Sequence, residues 1–322
     1  MKKVLGIGNA LVDIMTIIKD DSFLETIELP KGSMQLVNKE TIERIYSLTS
    51  NFEKKIASGG SAANTIYGIG KLEGIAGYIG KINEKDEFGQ FFEKDLHKAG
   101  VITHLQYSET PTGRAIALVS PDAERTFATY LGAAVELSAR DIDETIFSKY
   151  DILHIEGYLA YNEELSEKAA WLAKKNKMIV SIDMASYNVI EDKFDFFEYL
   201  IKKYINIIFA NEQEAKILTQ LDPEEAIHKL SEKTEIAIVK IGDKGSLIKS
   251  NGTIHTIDAI KVKPLDTTGA GDFYAAGFLY GLSRNFDLYK CGLLGSYLAG
   301  KITEYIGAKP NNDVWENIKK DF

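Results

Sequence analysis

The sequence predicts an α/β protein in which helices cover both faces of a mainly parallel sheet. Short apolar runs that suit buried strands alternate along the chain with stretches of helical periodicity. The 26 glycines fall mostly between these runs, where turns are expected, and there are 6 prolines. Strands that alternate with helices form parallel sheets, because each crossover helix packs on one face of the sheet. We therefore expect a three-layer α/β/α core.

The elements of this core follow in order along the chain. The predicted strands are residues 4–7, 75–79, 151–155, 178–182, 206–209 and 236–240. The predicted helices are residues 41–49, 87–99, 163–175, 223–231, 270–282 and 289–305. The last two helices are apolar over most of their length, which predicts that they are buried.

Two segments interrupt this alternation. Residues 15–37 and 103–131 carry β-branched and turn residues without a helix between their strands, and residues 112–129 have the pattern of a hairpin around Pro121 and Asp122. We expect the two segments to pair as a small β-sheet lid. The α/β core then consists of residues 1–14, 38–102 and 132–322.

The composition limits what the protein is expected to bind. Its 38 Lys and Arg against 47 Asp and Glu give a formal net charge of −9, which suits nucleic-acid phosphates poorly. A small anionic substrate stays compatible, since a local pocket can bind it. No apolar run approaches the roughly 18 residues of a membrane span, and the single cysteine, Cys291, is typical of a reducing compartment. We expect a cytoplasmic protein, monomeric or homodimeric, without nucleic-acid or membrane partners.

The most specific motif is Asp266-Thr-Thr-Gly-Ala-Gly-Asp272, directly before a long apolar helix. Gly269, Ala270 and Gly271 are small enough for a ligand to approach the backbone. Amide groups at a helix N-terminus point outward and favour anions, so the motif predicts an anion site for a phosphoryl group in transfer. Asp272 would lie beside that anion, where a carboxylate can accept the proton of an attacking hydroxyl. Helix capping is the alternative role for this carboxylate.

Two further segments predict contacts with the phosphate acceptor. In Gly59-Gly-Ser-Ala-Ala-Asn64, which opens a helix, Gly60 permits close approach and the Asn64 amide can donate to and accept from hydroxyls. In residues 8–13, Asp13 follows the first strand at the sheet edge where open α/β sheets bind ligands, and it could bind two vicinal hydroxyls. A strand-to-helix turn and a loop cap are the respective structural alternatives.

In this order, the three segments resemble the ribokinase-like (PfkB) family of sugar and nucleoside kinases, and the resemblance covers nearly the whole chain. Residues 211–214, 238–245 and 307–310 are similar to the family's Asn-x-x-Glu motif, to its strand and turn over the ATP phosphates, and to a late Gly-Ala-x-Pro turn. The resemblance implies ATP and Mg²⁺ as cofactors. It implies that Asn211 and Glu214 order Mg²⁺ through water and that Lys240, Gly242 and Gly245 bind the nucleotide.

Within this family the sequence resembles adenosine kinases in its opening residues 6–14, in its lid region and at residues 156–158. This resemblance implies that Arg125 closes over the transferred phosphate. It also implies contacts with ribose hydroxyls, an apolar slot for the base and polar neighbours. The residues implied are Asp13, Gly60 and Asn64 for the hydroxyls, Leu11, Leu36, Phe127 and Tyr158 for the slot, and Asn9 and Gly59 beside them. Plain packing is the alternative role of Phe127 and Tyr158.

We therefore expect an ATP-dependent kinase that phosphorylates the 5′-hydroxyl of a nucleoside, with adenosine as the favoured acceptor. Thr268 stands where adenosine kinases often have Asn, which leaves the base open. A sugar kinase of ribokinase or fructokinase type and an inosine or guanosine kinase are the alternatives, and an inactive binding protein on the same fold is a third reading. Some relatives bind a monovalent cation, and Asp266 and Thr268 could hold K⁺ here.

Overall fold

The computed structural model describes residues 1–122, 124–307 and 309–320. The strands are β1 (Val4–Ile7), β2 (Leu11–Ile17), β3 (Met34–Leu36), β4 (Lys54–Gly59), β5 (Ala76–Ile82), β6 (Ile102–Tyr107), β7 (Gly113–Val119), β8 (Arg125–Tyr130), β9 (Ile152–Glu156), β10 (Ile179–Asp183), β11 (Ile207–Asn211), β12 (Ile236–Lys240), β13 (Ser246–Ser250) and β14 (Thr253–Ile257). The α-helices are α1 (Ser22–Thr26), α2 (Lys39–Leu48), α3 (Ser61–Lys71), α4 (Glu87–Lys98), α5 (Glu163–Lys175), α6 (Tyr187–Asp192), α7 (Phe194–Tyr204), α8 (Glu212–Thr219), α9 (Pro223–Ser231), α10 (Ala270–Ser283), α11 (Leu288–Thr303) and α12 (Asn312–Lys320).

A large sheet forms the centre of the molecule, with the strand order β14-β13-β12-β11-β10-β9-β1-β5-β6. Its pairs are parallel except at one edge, where β12–β13 and β13–β14 are antiparallel. One hydrophobic cluster joins a face of this sheet to α3, α10 and α11, and a second cluster joins the other face to α5, α7 and α9. The predicted parallel sheet between two helix layers is confirmed.

A smaller sheet has the order β3-β8-β7-β2-β4. Strands β7 and β8 form the antiparallel hairpin expected around Pro121 and Asp122, although Ala123 at its tip lies outside the described residues. Three residues, 8–10, connect the end of β1 to the start of β2, so both sheets meet at this short connection. The prediction of a second, small β-sheet is confirmed.

Three assignments around the small sheet need correction. Strand β4, predicted to lie in the core, pairs antiparallel with β2 in the small sheet, and its sequence KKIASG lacks the alternation that indicates a strand. Strand β6, predicted to lie in the lid, pairs parallel with β5 at the edge of the large sheet, because the crossover through α4 returns the chain there. Segment 15–37 also contains a short helix, α1.

Helix α10 packs between α3 and α11 and has fully buried aromatic side chains at Phe273 and Phe278. At Gly277, a Cβ atom would overlap the carbonyl oxygen of Leu294, so the close approach to α11 requires glycine. This packing holds the N-terminus of α10 beside Lys240, the last residue of β12. In the described part of the chain, no helix has both the length and the apolarity that crossing a membrane requires.

Candidate active site

The carboxylate of Asp272 lies in the first turn of α10 and is held by the first turn of α3. Ser61 Oγ donates to one carboxylate oxygen at 2.7 Å, and Asn64 Nδ2 donates to the other at 2.9 Å. Thr65 Oγ1 donates to the backbone carbonyl of Asp272 at 3.0 Å. Burial raises the pKa of Asp272 to about 7, although these donors and the charge of Lys240 oppose the shift. At neutral pH this carboxylate can both release and accept a proton.

The backbone before α10 matches the predicted anion site in part. Gly269 takes the left-handed conformation (φ 78°) that starts the helix. At Gly271, a Cβ atom would meet Lys240 Nζ at 3.1 Å and no other described atom within 4 Å, so space remains in front of the first turn. Ala270 differs from the prediction, because its N–H donates to the Thr267 carbonyl at 3.1 Å in the tight turn.

Asp266 anchors the loop that leads into this turn. Its Oδ1 accepts from the Thr268 amide at 2.8 Å, and its Oδ2 accepts from the Gly307 amide at 2.6 Å. Arg125 Nη1 lies 3.0 Å from Oδ1, and Arg125 Nη2 donates to the Leu265 carbonyl at 3.3 Å. Arg125 thus binds Asp266 rather than standing free above a phosphate. A monovalent cation at the Asp266 carboxylate would have to displace Arg125, and Ala308 in the adjoining turn lies outside the described residues.

The two glycines before α3 let three chain segments meet. A Cβ atom at Gly59 would overlap the carboxylate of Asp13, and one at Gly60, where φ is 95°, would overlap the carbonyl oxygen of Asn9. Only glycine allows this close approach. Burial raises the pKa of Asp13 to about 6, and the charge of Lys309 opposes the shift.

Lys309 is a charged neighbour that the sequence analysis treated only as part of a turn. Its Nζ donates to Ser58 Oγ, lies 3.5 Å from Asp95 Oδ2 and stands 4.0 Å above the Tyr67 ring. The side chain is 5% exposed, and burial lowers the pKa of Lys309 to about 8. No local signal could have identified this role, because Asp95 and Ser58 are distant in the chain.

Glu156 at the end of β9 is a second group that the sequence analysis did not assign. Its Oε1 accepts from Asn9 Nδ2 at 2.7 Å, and its Oε2 accepts from the Ala62 amide at 3.1 Å. Burial raises the pKa of Glu156 to about 7. Its position at the carboxyl end of a central parallel strand is the signal that could have found it.

A cavity of about 450 Å³ lies between the small sheet and the large one. Just over half of its lining residues are aliphatic or aromatic, and the polar ones are Asn9, Ser61, Thr129, Glu156, Asn162, Ser186 and Asn188. The sequence-predicted residues that line it are Asn9, Leu11, Leu36, Gly60 and Tyr158, joined by Met34, Leu131, Ala134, Val135 and Leu137. Ser61 connects this cavity to Asp272 through the hydrogen bond described above.

Phe127 does not belong to the described lining of the cavity. It lies on β8 between Arg125, which reaches the core, and Thr129, which lines the cavity. Alternate residues of a strand point to the same face, so Phe127 faces the cleft nearer to Asp266. Of the four residues predicted for the apolar slot, Leu11, Leu36 and Tyr158 line the cavity and Phe127 does not, whereas Met34 of β3 lines it in addition.

The residues predicted to bind ATP and Mg²⁺ lie at or just after the ends of β11 and β12. Asn211 and Glu214 cap α8 reciprocally, with Asn211 Nδ2 donating to Glu214 Oε1 at 2.7 Å and the Glu214 amide donating to Asn211 Oδ1 at 2.9 Å. Burial raises the pKa of Glu214 to about 7. Gly245 permits a tight turn, since a Cβ atom would overlap the Ile257 carbonyl, whereas at Gly242 it would meet no described atom within 4 Å.

Asn211 and Glu214 fit a magnesium ion bound through water. Among the described residues, no three His, Cys, Asp or Glu side chains form a group that could hold a metal. Both Glu214 oxygens accept hydrogen bonds from Asn211. Their remaining lone pairs could accept from water molecules bound to the metal. Mg²⁺ typically keeps several waters and takes its direct ligands from substrate phosphates and one or two carboxylates.

Comparison with known protein families identifies the type of reaction. Residues 39–315 match the model of the pfkB family of carbohydrate kinases. The chain belongs to this family. It is therefore a phosphotransferase that acts on a hydroxyl group of a sugar or a nucleoside. The alternative of an inactive binding protein on the same fold has no observation in its favour.

Kinases named for different acceptors resemble this chain. A probable sugar kinase from Rhizobium etli is 33% identical, with a TM-score of 0.89 over 99% of this chain and 98% of that chain. The adenosine kinase from Sinorhizobium meliloti is also 33% identical, with a TM-score of 0.88 over 100% and 99%. A 5-dehydro-2-deoxygluconokinase from Clostridium botulinum is 28% identical over 82% of this chain and 83% of its own.

Proposed function

We propose that this PfkB kinase transfers the γ-phosphoryl group of ATP to the 5′-hydroxyl of a nucleoside, with adenosine as its preferred acceptor. The observation that carries the proposal is the 450 Å³ cavity, which is lined by Met34 and Leu36 on the small sheet and by Asn9 and Glu156 at the ends of large-sheet strands, here called its floor. A flat base suits the side chains of Leu36 and Tyr158, and a ribose suits the floor near Asn9 and Glu156. The resemblance to the adenosine kinase from Sinorhizobium meliloti supports the same acceptor.

The ribose hydroxyls are assigned to the three segments that meet at Gly60. Asn64 uses its Nδ2 on Asp272, while its buried Oδ1 accepts no hydrogen bond from the described residues. A buried acceptor without a donor is costly, and a substrate hydroxyl would supply the donor. The Asp13 carboxylate, held beside Gly59, can accept from a second hydroxyl.

Asp272 is assigned as the general base. A pKa of about 7 suits a group that must accept a proton at neutral pH. Ser61 and Asn64 hold both carboxylate oxygens, so the acceptor hydroxyl approaches a carboxylate of fixed orientation. The amides of Gly269 and Gly271 lie at a helix N-terminus and stabilise negative charge that develops in front of them.

ATP and Mg²⁺ are assigned to the open side of the same turn. The bound nucleotide supplies the phosphoryl group and the metal neutralises part of its charge. Asn211 and Glu214 orient metal-bound water, and the open space at Gly242 leaves room for phosphates close to the backbone. We do not include K⁺, because Arg125 and two amides occupy the Asp266 carboxylate.

The test is an acceptor screen with the purified protein, ATP and Mg²⁺, in which ADP release is measured. The acceptors are adenosine, inosine, guanosine, ribose, fructose and 5-dehydro-2-deoxygluconate. We expect the highest kcat/KM with adenosine, and ³¹P NMR should identify a 5′-monophosphate as the product. A higher kcat/KM with a free sugar would replace the proposal by a sugar kinase, and a higher value with inosine or guanosine would change the base.

A further inference from the structure

Lys240 ends β12 directly in front of the anion site. A Cβ atom at Gly271, the residue before Asp272, would lie 3.1 Å from Lys240 Nζ. An ammonium group carries three donor hydrogens and no acceptor. Lys240 is therefore a point charge at the place where the predicted phosphoryl group would arrive.

Asp183, which the sequence analysis did not single out, fixes this ammonium. Its Oδ2 lies 2.8 Å from Lys240 Nζ, and its Oδ1 accepts from the Ala185 amide at 3.0 Å. The two side chains are 7% and 15% exposed. Ala185 takes the left-handed conformation (φ 66°), which is uncommon for alanine and presents its amide to the carboxylate.

The charges around Lys240 explain why an anchor is needed. Besides Asp183, the carboxylates of Glu214 and Asp272 act on this ammonium. A flexible lysine could pair with either of them, and pairing with Asp272 would compete with the acceptor hydroxyl. Burial alone would raise the pKa of Asp183, but the charge of Lys240 keeps it below its ordinary value. The Asp183 carboxylate therefore stays ionised beside the ammonium.

We propose that Asp183 is a positioning residue that aims the Lys240 ammonium at the transferred phosphoryl group. One hydrogen of the ammonium donates to Asp183, and the other two remain for phosphoryl oxygens in front of Gly271. Lys240 then stabilises the charge that develops during transfer, together with the first-turn amides of α10. This inference rests on the proposed phosphoryl transfer from ATP and adds an anchor and a charged donor to it.

The test compares Lys240→Met, Lys240→Arg, Asp183→Asn and the double variant with Lys240→Met and Asp183→Asn. Loss of one donor in such a site costs about 10²–10³-fold in kcat, which we expect for Lys240→Met, and Lys240→Arg should recover part of it. Asp183→Asn should lower kcat about tenfold, within the range for directly coupled pairs, with a KM for the acceptor that changes less than twofold. In the Lys240→Met background, Asp183→Asn should have no further effect on kcat.

A control variant and a binding measurement complete this comparison. Lys233→Met removes a lysine that pairs with Glu198 at 2.6 Å on the protein surface, and we expect its kcat to equal that of the wild type. Calorimetric titration with ATP, without acceptor, should show at least tenfold weaker binding for Lys240→Met. A reduction in kcat by Asp183→Asn that persists in the Lys240→Met background would overturn the positioning role.

Failure of this inference is distinguishable from failure of the proposed function. A wild-type protein that releases no ADP with any acceptor contradicts the proposed function, and the ATP titration still decides the role of Lys240. An active wild type whose Lys240→Met variant keeps its kcat and ATP affinity contradicts only the inference.

Discussion

The guanidinium of Arg125 lies 3.0 Å from the carboxylate of Asp266, and this ion pair joins the small sheet to the loop before α10. The Asp266 side chain is 1% exposed and that of Arg125 is 17% exposed. The pair spans from β8 of the small sheet to the loop before α10. It therefore couples the position of the lid to the loop that carries the anion site.

Replacing Arg125 with Gln should lower the stability of the protein. Asp266 would keep its two amide donors but lose a charged partner, so we expect a loss of about 1.5–3 kcal/mol in the free energy of unfolding. Urea denaturation measures this loss. Arg44→Gln is the control, because exposed Arg44 donates only to the Thr26 carbonyl among its described hydrogen bonds. Equal stability of the Arg125→Gln variant and the wild type would show that the ion pair contributes nothing.

Replacing Asp272 with Asn should remove the proposed base while keeping its size. The amide oxygen can still accept from Asn64 Nδ2, and the amide NH2 group can donate to Ser61 Oγ. Loss of a general base costs about 10²–10⁴-fold in kcat, and we expect a loss in this range. Calorimetric titration with the acceptor should show nearly unchanged binding, because Asn64 and Asp13 remain. Asp195→Asn, on the exposed start of α7, is the matched control. Turnover of the Asp272→Asn variant within threefold of the wild type would exclude the role as base.

The pH dependence of kcat/KM should follow the same carboxylate. Asp272 must be deprotonated to accept a proton, and its pKa is raised to about 7. We therefore expect kcat/KM to rise about tenfold per pH unit below pH 7 and to level off above it. A profile that falls as the pH rises from 6 to 8 would contradict this assignment, and the Asp272→Asn variant should lose the inflection.

Sequence alone predicted the parts of the site that are continuous in the chain. The 266–272 motif predicted the start of α10, since small residues before an apolar helix are a local signal. The Asp183–Lys240 and Lys309–Asp95 pairs were missed, because each joins segments that only the sheet topology brings together. The short polar strand β4 was missed for a related reason, since its pairing with β2 depends on the lid as a whole. The roles assigned to individual site residues remain predictions.

Replacing Lys309 with Met should weaken acceptor binding in mildly acidic solution. The charge of Lys309 lowers the pKa of Asp13, which burial has raised to about 6. Removing that charge raises this pKa further, so more Asp13 is protonated at pH 6 and fewer molecules can accept a ribose hydroxyl. We expect a higher KM for the acceptor at pH 6 that approaches the wild-type value at pH 8.5. Lys309→Arg, which keeps the charge, should retain the wild-type pH dependence, and a KM increase independent of pH would indicate a structural effect.

Replacing Leu36 with Ala should distinguish a nucleoside pocket from a sugar pocket. Leu36 is 66% exposed on β3, yet it lines the cavity, and a base that packs against it would bury much of this apolar surface. Fully burying such a side chain contributes about 1.5–3 kcal/mol. Because Leu36→Ala removes part of this apolar contact, we expect up to about a tenfold higher KM for adenosine. A free sugar bound at the floor would leave Leu36 uncovered, and its KM should then not change. Ile56→Ala, 41% exposed on β4 of the same sheet, is the control for effects on the lid itself. An unchanged KM for adenosine in the Leu36→Ala variant would remove the base from the apolar end of the cavity.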